Sequence, residues 1–197
     1  FNMRGDKKKF AKITLVLVIL TTITGCGGKA TNKTDQSAAT PSPVNTVTYN
    51  IPVTCKLPEV NAAFAKIIPP SKYIATKWQP APGTDLYAAI NGGGIACSYG
   101  DQEAEVGGTI LWALNKDGLW DSRIAKWQKD GMVAVDIPGI DETAAYKLPE
   151  GATSADNLPA WRVNLLIGNL WIQLGAAFIQ SWDEATPIIT AAIAAAK

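Results

Sequence analysis

Histidine is absent from all 197 residues. That removes the commonest general acid–base group and the commonest metal ligand from any mechanism open to this chain. Cysteine is scarce: Cys26, Cys55 and Cys97 are the full set, and with no histidine beside them they make a poor metal set. No excess of one charge exists either. The formal net charge is +1, and without residues 1–25 the chain keeps 13 Lys/Arg against 16 Asp/Glu. That balance excludes nucleic acid as the expected partner, because such binding draws on clustered Lys and Arg. The apolar run from Ile13 to Ile23 covers about half of the roughly 20 residues that a transmembrane helix requires.

What the chain does have begins at that run. Arg4, Lys7, Lys8, Lys9 and Lys12 precede it and Ile23-Thr24-Gly25-Cys26 closes it. A basic start followed by a short apolar core is the anatomy of a secretory signal. Ile-Thr-Gly-Cys in place of a small-residue cleavage site resembles the lipobox of bacterial lipoproteins. That likeness implies removal of residues 1–25, acylation of Cys26 and a lipid bilayer as first partner, at the outer face of the cytoplasmic membrane. A diacylglyceryl cysteine supplies the two chains that lasting anchorage needs. Phe1 and Asn2 stand before Met3, the expected initiator. Residues 26–48, rich in Thr, Ser, Ala, Asn and Pro, read as a flexible tether. Residues 49–197 have the size of one domain. Outside the cytoplasm, Cys55 and Cys97 could form a bridge. It would close a loop of about 43 residues and contribute about 4 kcal/mol. A reactive thiol or a metal site is the alternative.

Within the domain, Leu57, Val60, Phe64 and Ile67 share one face of a helix over 56–68, stopped by Pro69-Pro70. Residues 71–94 lack a steady period and read as a long loop, a length that often carries function. Residues 95–99 and 109–114 read as a strand pair. Asp117 is the expected cap of a helix carrying Trp120, Ile124 and Trp127, which Gly131 ends. Residues 132–137 and 144–148 alternate as further strands. The clearest element is a hairpin over 161–177 turning at Gly168-Asn169, a type II′ signature. That turn pairs Ile167 with Leu170, Leu165 with Ile172 and Val163 with Leu174 on a core face. The other face, with Leu166, Trp171, Asn164 and Gln173, is mixed and reads as facing solvent or a ligand. For the last helix, Ser181 with Glu184 fits a capping box, but that start places Pro187 inside the helix. A start at Thr186 with Pro187 in the first turn is preferred. The order of elements predicts an α+β fold, an antiparallel β-sheet packed by about three helices on one side.

Several of these residues carry a resemblance. Cys55-x-Leu57, Glu59-Val60, Cys97-Ser98-Tyr99, Pro138 to Tyr146 and Arg162 to Asn169 look like the motifs of a family of small actinobacterial cell-envelope lipoproteins of unknown function. Tyr99 stands where that family more often has Trp. The resemblance implies a disulfide between Cys55 and Cys97 and an α+β sandwich. A mycobacterial kinase has a sensor domain of comparable layout, so by analogy the resemblance implies ligand sensing. It brings no catalytic residues.

No enzyme is expected. The adjacent pairs Asp141-Glu142 and Asp183-Glu184 fall at turns, and Gly92-Gly93-Gly94 has no Lys-Ser/Thr after it to make a phosphate cradle. A buried, mutually hydrogen-bonded polar cluster would reopen that reading. Of seven tryptophans, Trp112, Trp120, Trp127 and Trp161 fall at core spacings. Trp78, Trp171 and Trp182 do not; Trp78 and Trp171, with Tyr73, are the candidate anchors for an apolar small molecule or an envelope protein. No cofactor is expected. The rival reading is a scaffold of an envelope complex without a ligand site.

Overall fold

The computed structural model describes residues 47–153 and 159–197. The signal segment 1–25, nearly all of the tether and the acylation candidate Cys26 lie outside the described residues. From residue 47 onward the chain forms an α+β domain built on a seven-stranded antiparallel sheet and four helices. No helix among the described residues is long and apolar enough to cross a membrane.

The strands are β1 (Lys72–Ile74), β2 (Ile95–Asp101), β3 (Val106–Leu114), β4 (Val133–Ala134), β5 (Ala144–Lys147), β6 (Trp161–Ile167) and β7 (Leu170–Ala176), in the spatial order β1-β2-β3-β7-β6-β5-β4. The β6–β7 hairpin has the register its turn dictates: Ile167 faces Leu170, Leu165 faces Ile172 and Val163 faces Leu174. Gly168 turns with φ 56° while Asn169 keeps a negative φ, the pattern of a type II′ turn. Because side chains alternate, those pairs stand on one face of the sheet.

Two helices cover that face: α1 (Pro58–Ala65) and α4 (Trp182–Ala194). Val60 and Phe64 of α1, Ile188, Ile189 and Ala192 of α4, and Ile110, Trp112, Leu165, Ile172 and Leu174 of the sheet make one continuous core. The Trp112 indole N–H donates to the Ala192 carbonyl at 2.9 Å. Against the expected start at Thr186, α4 begins five residues earlier. The Ser181 hydroxyl accepts from the Glu184 N–H at 3.4 Å, and Glu184 Oε2 accepts from the Gln180 N–H at 2.7 Å. This paired cap, with Ala185 buried and Trp182 edge-on to Trp161 at 5.3 Å, outweighs the one helical hydrogen bond that Pro187 removes.

The segment 71–94 is not a loop throughout. It holds β1 and a helix, α2 (Asp85–Asn91), capped by the Thr84 hydroxyl, which accepts from the Tyr87 N–H at 3.1 Å. Its glycines are structural: Gly92 closes α2, Gly93 has φ 82°, and a Cβ at Gly94 would strike the Trp112 carbonyl of β3. The next helix, α3 (Leu119–Lys129), is also capped differently from expectation. Asp117 and Gly118 both adopt left-handed φ, which moves the helix start past Asp117, and Asn115 Oδ1 accepts from the Trp120 N–H at 2.9 Å. Helices α2 and α3 lie on the second face of the sheet, over Ala96, Leu111, Ala113, Leu166 and Trp171. The sheet is therefore covered on both sides, not on one.

Cys55 and Cys97 form a disulfide with a Cα–Cα distance of 5.3 Å. It ties the segment before α1 to β2, where Tyr99 continues the attachment. The Tyr99 hydroxyl donates to the Cys55 carbonyl at 2.8 Å, and its ring stacks on Phe64 at a centroid distance of 5.2 Å. Burial pushes the Tyr99 phenol well above the usual tyrosine value, with a smaller contribution from Tyr73. The folded state thus holds a neutral phenol. Its stabilisation is intact below the ordinary tyrosine pKa of about 10 and is lost as pH climbs beyond it, because the unfolded chain ionises first. Urea midpoints followed through that alkaline range should fall more steeply for the wild type than for Tyr99→Phe. Parallel curves would free Tyr99 of the effect.

Candidate functional site

Part of the sheet around the β2–β3 turn lies open among the described residues. Helix α2 shields Ala96 and Leu111, but the next row, Ile74, Ser98 and Thr109, carries no helix above it. Ser98 pairs with Ile74 on one side and Thr109 on the other. These side chains floor an open cleft of about 430 Å³, walled by Thr76, Asp101 and Glu105. The Thr76 hydroxyl donates to Ser98 Oγ at 3.2 Å. A neighbouring cleft of about 400 Å³ shares Ile74 and Asp101 and adds Tyr73, Lys72 and Glu103. Three carboxylates, Asp101, Glu103 and Glu105, stand against the single cation Lys72 around the pair of clefts, so they suit a polar, cationic surface better than an apolar molecule.

The sequence-derived anchors fare unequally. Tyr73 is half-buried, edge-on to Tyr99 at 6.2 Å, and lines the second cleft. Trp78 is half-buried against the α2–α3 face, and its indole N–H donates to the Ala96 carbonyl at 2.7 Å. It closes the side of the sheet left bare by the short strand β1. Trp171 is 0% exposed, which corrects its placement at a solvent or ligand face. The ring packs 5.6 Å from Trp127 of α3, so no ligand reaches it. The hydroxyls of Thr76, Ser98 and Thr109 were missed. Their signal was the polar interruption of two strands otherwise apolar on both faces.

A second polar group lies inside the molecule, centred on Asp85 in the first turn of α2. Asp85 Oδ1 accepts from Arg123 Nε at 2.8 Å and Nη2 at 2.7 Å. Asp85 Oδ2 accepts from the Trp127 indole N–H at 2.9 Å and from Gln173 Nε2 at 2.7 Å. Gln173 Nε2 also donates to Asn164 Oδ1 at 2.8 Å, and the Trp171 indole N–H reaches that oxygen at 3.0 Å. Arg123 additionally donates to the Gly83 carbonyl at 2.9 Å. This is the kind of cluster that reopens the question of catalysis. Both oxygens of the one carboxylate already carry two donors each, and the bonds tie α3 to α2, α2 to β7 and β7 to β6. A buried polar network satisfied in this way specifies how elements dock. Among the described residues, no group of three His, Cys, Asp or Glu is placed to hold a metal ion.

No protein family, curated protein or solved structure matches the chain.

The functional reading therefore rests on the chain's own geometry. One further relation bears on it. The backbone arriving from the tether is fastened at Tyr49: its N–H donates to Asn169 Oδ1 and its carbonyl accepts from Asn169 Nδ2, both at 3.3 Å. Asn50 then donates to the Ala196 carbonyl at 2.7 Å. Asn169 sits in the β6–β7 turn, at the end of the sheet where β3 finishes. The clefts sit where β3 begins, about 26 Å away at 3.3 Å per residue.

Proposed function

We propose that this protein is an extracytoplasmic lipoprotein, anchored by acylated Cys26, whose domain is a non-catalytic module that binds an envelope protein at the β1–β2–β3 clefts. It would belong with the small actinobacterial cell-envelope lipoproteins that its motifs resemble. The observation that carries the reading is the opposition of the two ends: the chain enters beside the β6–β7 turn, and the two open clefts at the β2–β3 turn lie at the far end of the strands. Asp101, Glu103 and Glu105 then stand at the end of the strands remote from the chain's entry, free of the point of attachment. The Cys55–Cys97 bridge supports an oxidising compartment. Against catalysis stands the occupancy of both Asp85 oxygens.

Two experiments test the halves separately. Cys26→Ser should shift the protein from the membrane to the soluble fraction or leave it unprocessed. Unchanged membrane retention after normal cleavage would remove the anchor from the proposal. For the clefts, a photo-crosslinking residue at Gln102, on the rim, should capture a discrete partner in intact cells. The same residue at Gln128, exposed on α3, should not, and Ser98→Arg should suppress the Gln102 product. Equal capture from both positions would instead favour a scaffold without a defined site.

A further inference from the structure

Lys147 is the one buried lysine among the described residues, 9% exposed on an interior strand. It follows Ala145 by two positions in β5, so its side chain enters the α4 face of the sheet, opposite to the clefts and at the other side of the strand order. Its ammonium donates to the Leu148 carbonyl at 3.1 Å. It also stands over two indoles, 5.4 Å from the Trp161 ring centre and 5.8 Å from that of Trp182. An ammonium has three N–H groups, and among the described residues no ion pair reaches this one. A charge taken from water gains from an anion beside it, so a negative group entering next to this ammonium would be stabilised.

Beside it the structure holds a cavity of about 230 Å³ lined by Lys147, Pro149, Pro159, Ala160, Trp161 and Ile179, with exposed Glu150 at the rim. Besides the ammonium, Gln180 and the rim carboxylate of Glu150 are its polar side chains, and the prolines, Ala160, Trp161 and Ile179 give it an apolar side. The volume falls below the roughly 300–1,000 Å³ of sites for drug-sized ligands, which limits an occupant to a few heavy atoms beyond its charged group. We infer that this cavity binds a small organic carboxylate, its anionic head on Lys147 and its apolar body against the prolines, Trp161 and Ile179. The two tryptophans hold the ammonium in place before the anion arrives, and the anion adds a counter-charge to it. Recognition of the head is charge-assisted, so a neutral isostere of the same shape should be rejected.

Isothermal titration of the full chain with benzoate and with benzamide makes the test. Benzoate should bind saturably and at least tenfold more tightly than benzamide. Lys147→Met keeps the length and apolar stem of the side chain and should abolish that difference while leaving thermal unfolding cooperative. Absence of saturable benzoate binding, equal binding of the two probes, or unchanged benzoate affinity in Lys147→Met would each overturn the assignment. If the methionine variant fails to fold, the comparison of the two probes on the wild type decides alone. None of these outcomes depends on the cleft at the β2–β3 turn, so failure of either site leaves the other standing.

Discussion

Asp85→Ala should cost the domain about 4 kcal/mol, the scale seen when one partner of a buried ion pair is removed. The effect is large because the alanine strands donors instead of merely deleting a contact. Arg123 Nε and Nη2, the Trp127 indole N–H and one N–H of Gln173 all lose their acceptor at once. The Arg123 side chain is 11% exposed, so water replaces the carboxylate poorly. At about 2–4 °C per kcal/mol for a domain of this size, the melting temperature should fall by roughly 8–16 °C. Asp85→Asn should cost less, about 1–3 kcal/mol, since its amide oxygen still serves one side of the network while its NH₂ opposes the donors on the other. Removing charge and counter-charge together, in Asp85→Leu with Arg123→Met, should be less harmful than the two single costs added. The shortfall should exceed about 1 kcal/mol, as for residues in direct contact. Chemical denaturation of the wild type, Asp85→Ala, Asp85→Asn, the double variant and its two single variants measures this. A loss below 1 kcal/mol for Asp85→Ala would show that α2 and α3 are held by apolar packing alone.

The disulfide should contribute a loss of similar size by another route. Cys55 and Cys97 are 42 residues apart, and cutting a loop of that length returns about 4 kcal/mol of conformational freedom to the unfolded chain. Cys55→Ala with Cys97→Ala should therefore unfold roughly 8–16 °C below the wild type, and a reductant should move the wild type toward the variant. Local damage should centre on the segment before α1. There the Cys55 carbonyl accepts the Tyr99 hydroxyl, the bond that lets a phenol be buried without penalty. Hydrogen exchange should report early opening around residues 51–57 in the variant, before β3 and β7. If the reduced protein keeps its midpoint within 1 kcal/mol, the bridge is a consequence of the fold and not a support of it.

Parts of this architecture were legible in the linear chain because local chemistry decides them. Gly168-Asn169 demanded a tight turn, and the turn then set the β6–β7 register down to Val163 with Leu174. The 3.6-residue spacing of Val60 and Phe64 marked α1, which ends at Ala65 before Ile67, and that of Trp120, Ile124 and Trp127 marked α3. Helix α2 was harder to see. At seven residues it is too short for its period to stand out, and it exists because Ala89 and Asp85 dock on the sheet, not because its own propensity holds it.

The candidate site was read less well for the same reason. Trp78 and Trp171 were singled out for not fitting the apolar period of their own segments, but period says nothing about what another segment lays on top. Helices α2 and α3 cover the Asn164–Gln173 row and turn a mixed face into a buried one, with Asp85 of α2 accepting from Gln173. The open relief was left where no helix reaches, at Ser98 and Thr109. Alternation, turns and cysteine content settled the antiparallel sheet, its central hairpin and the chain's candidates for export and bridging. Which face each helix would cover, and thus which polar residues are sealed and which remain open, needed the tertiary structure. Burial is a property of contacts between distant segments, and no residue carries it alone.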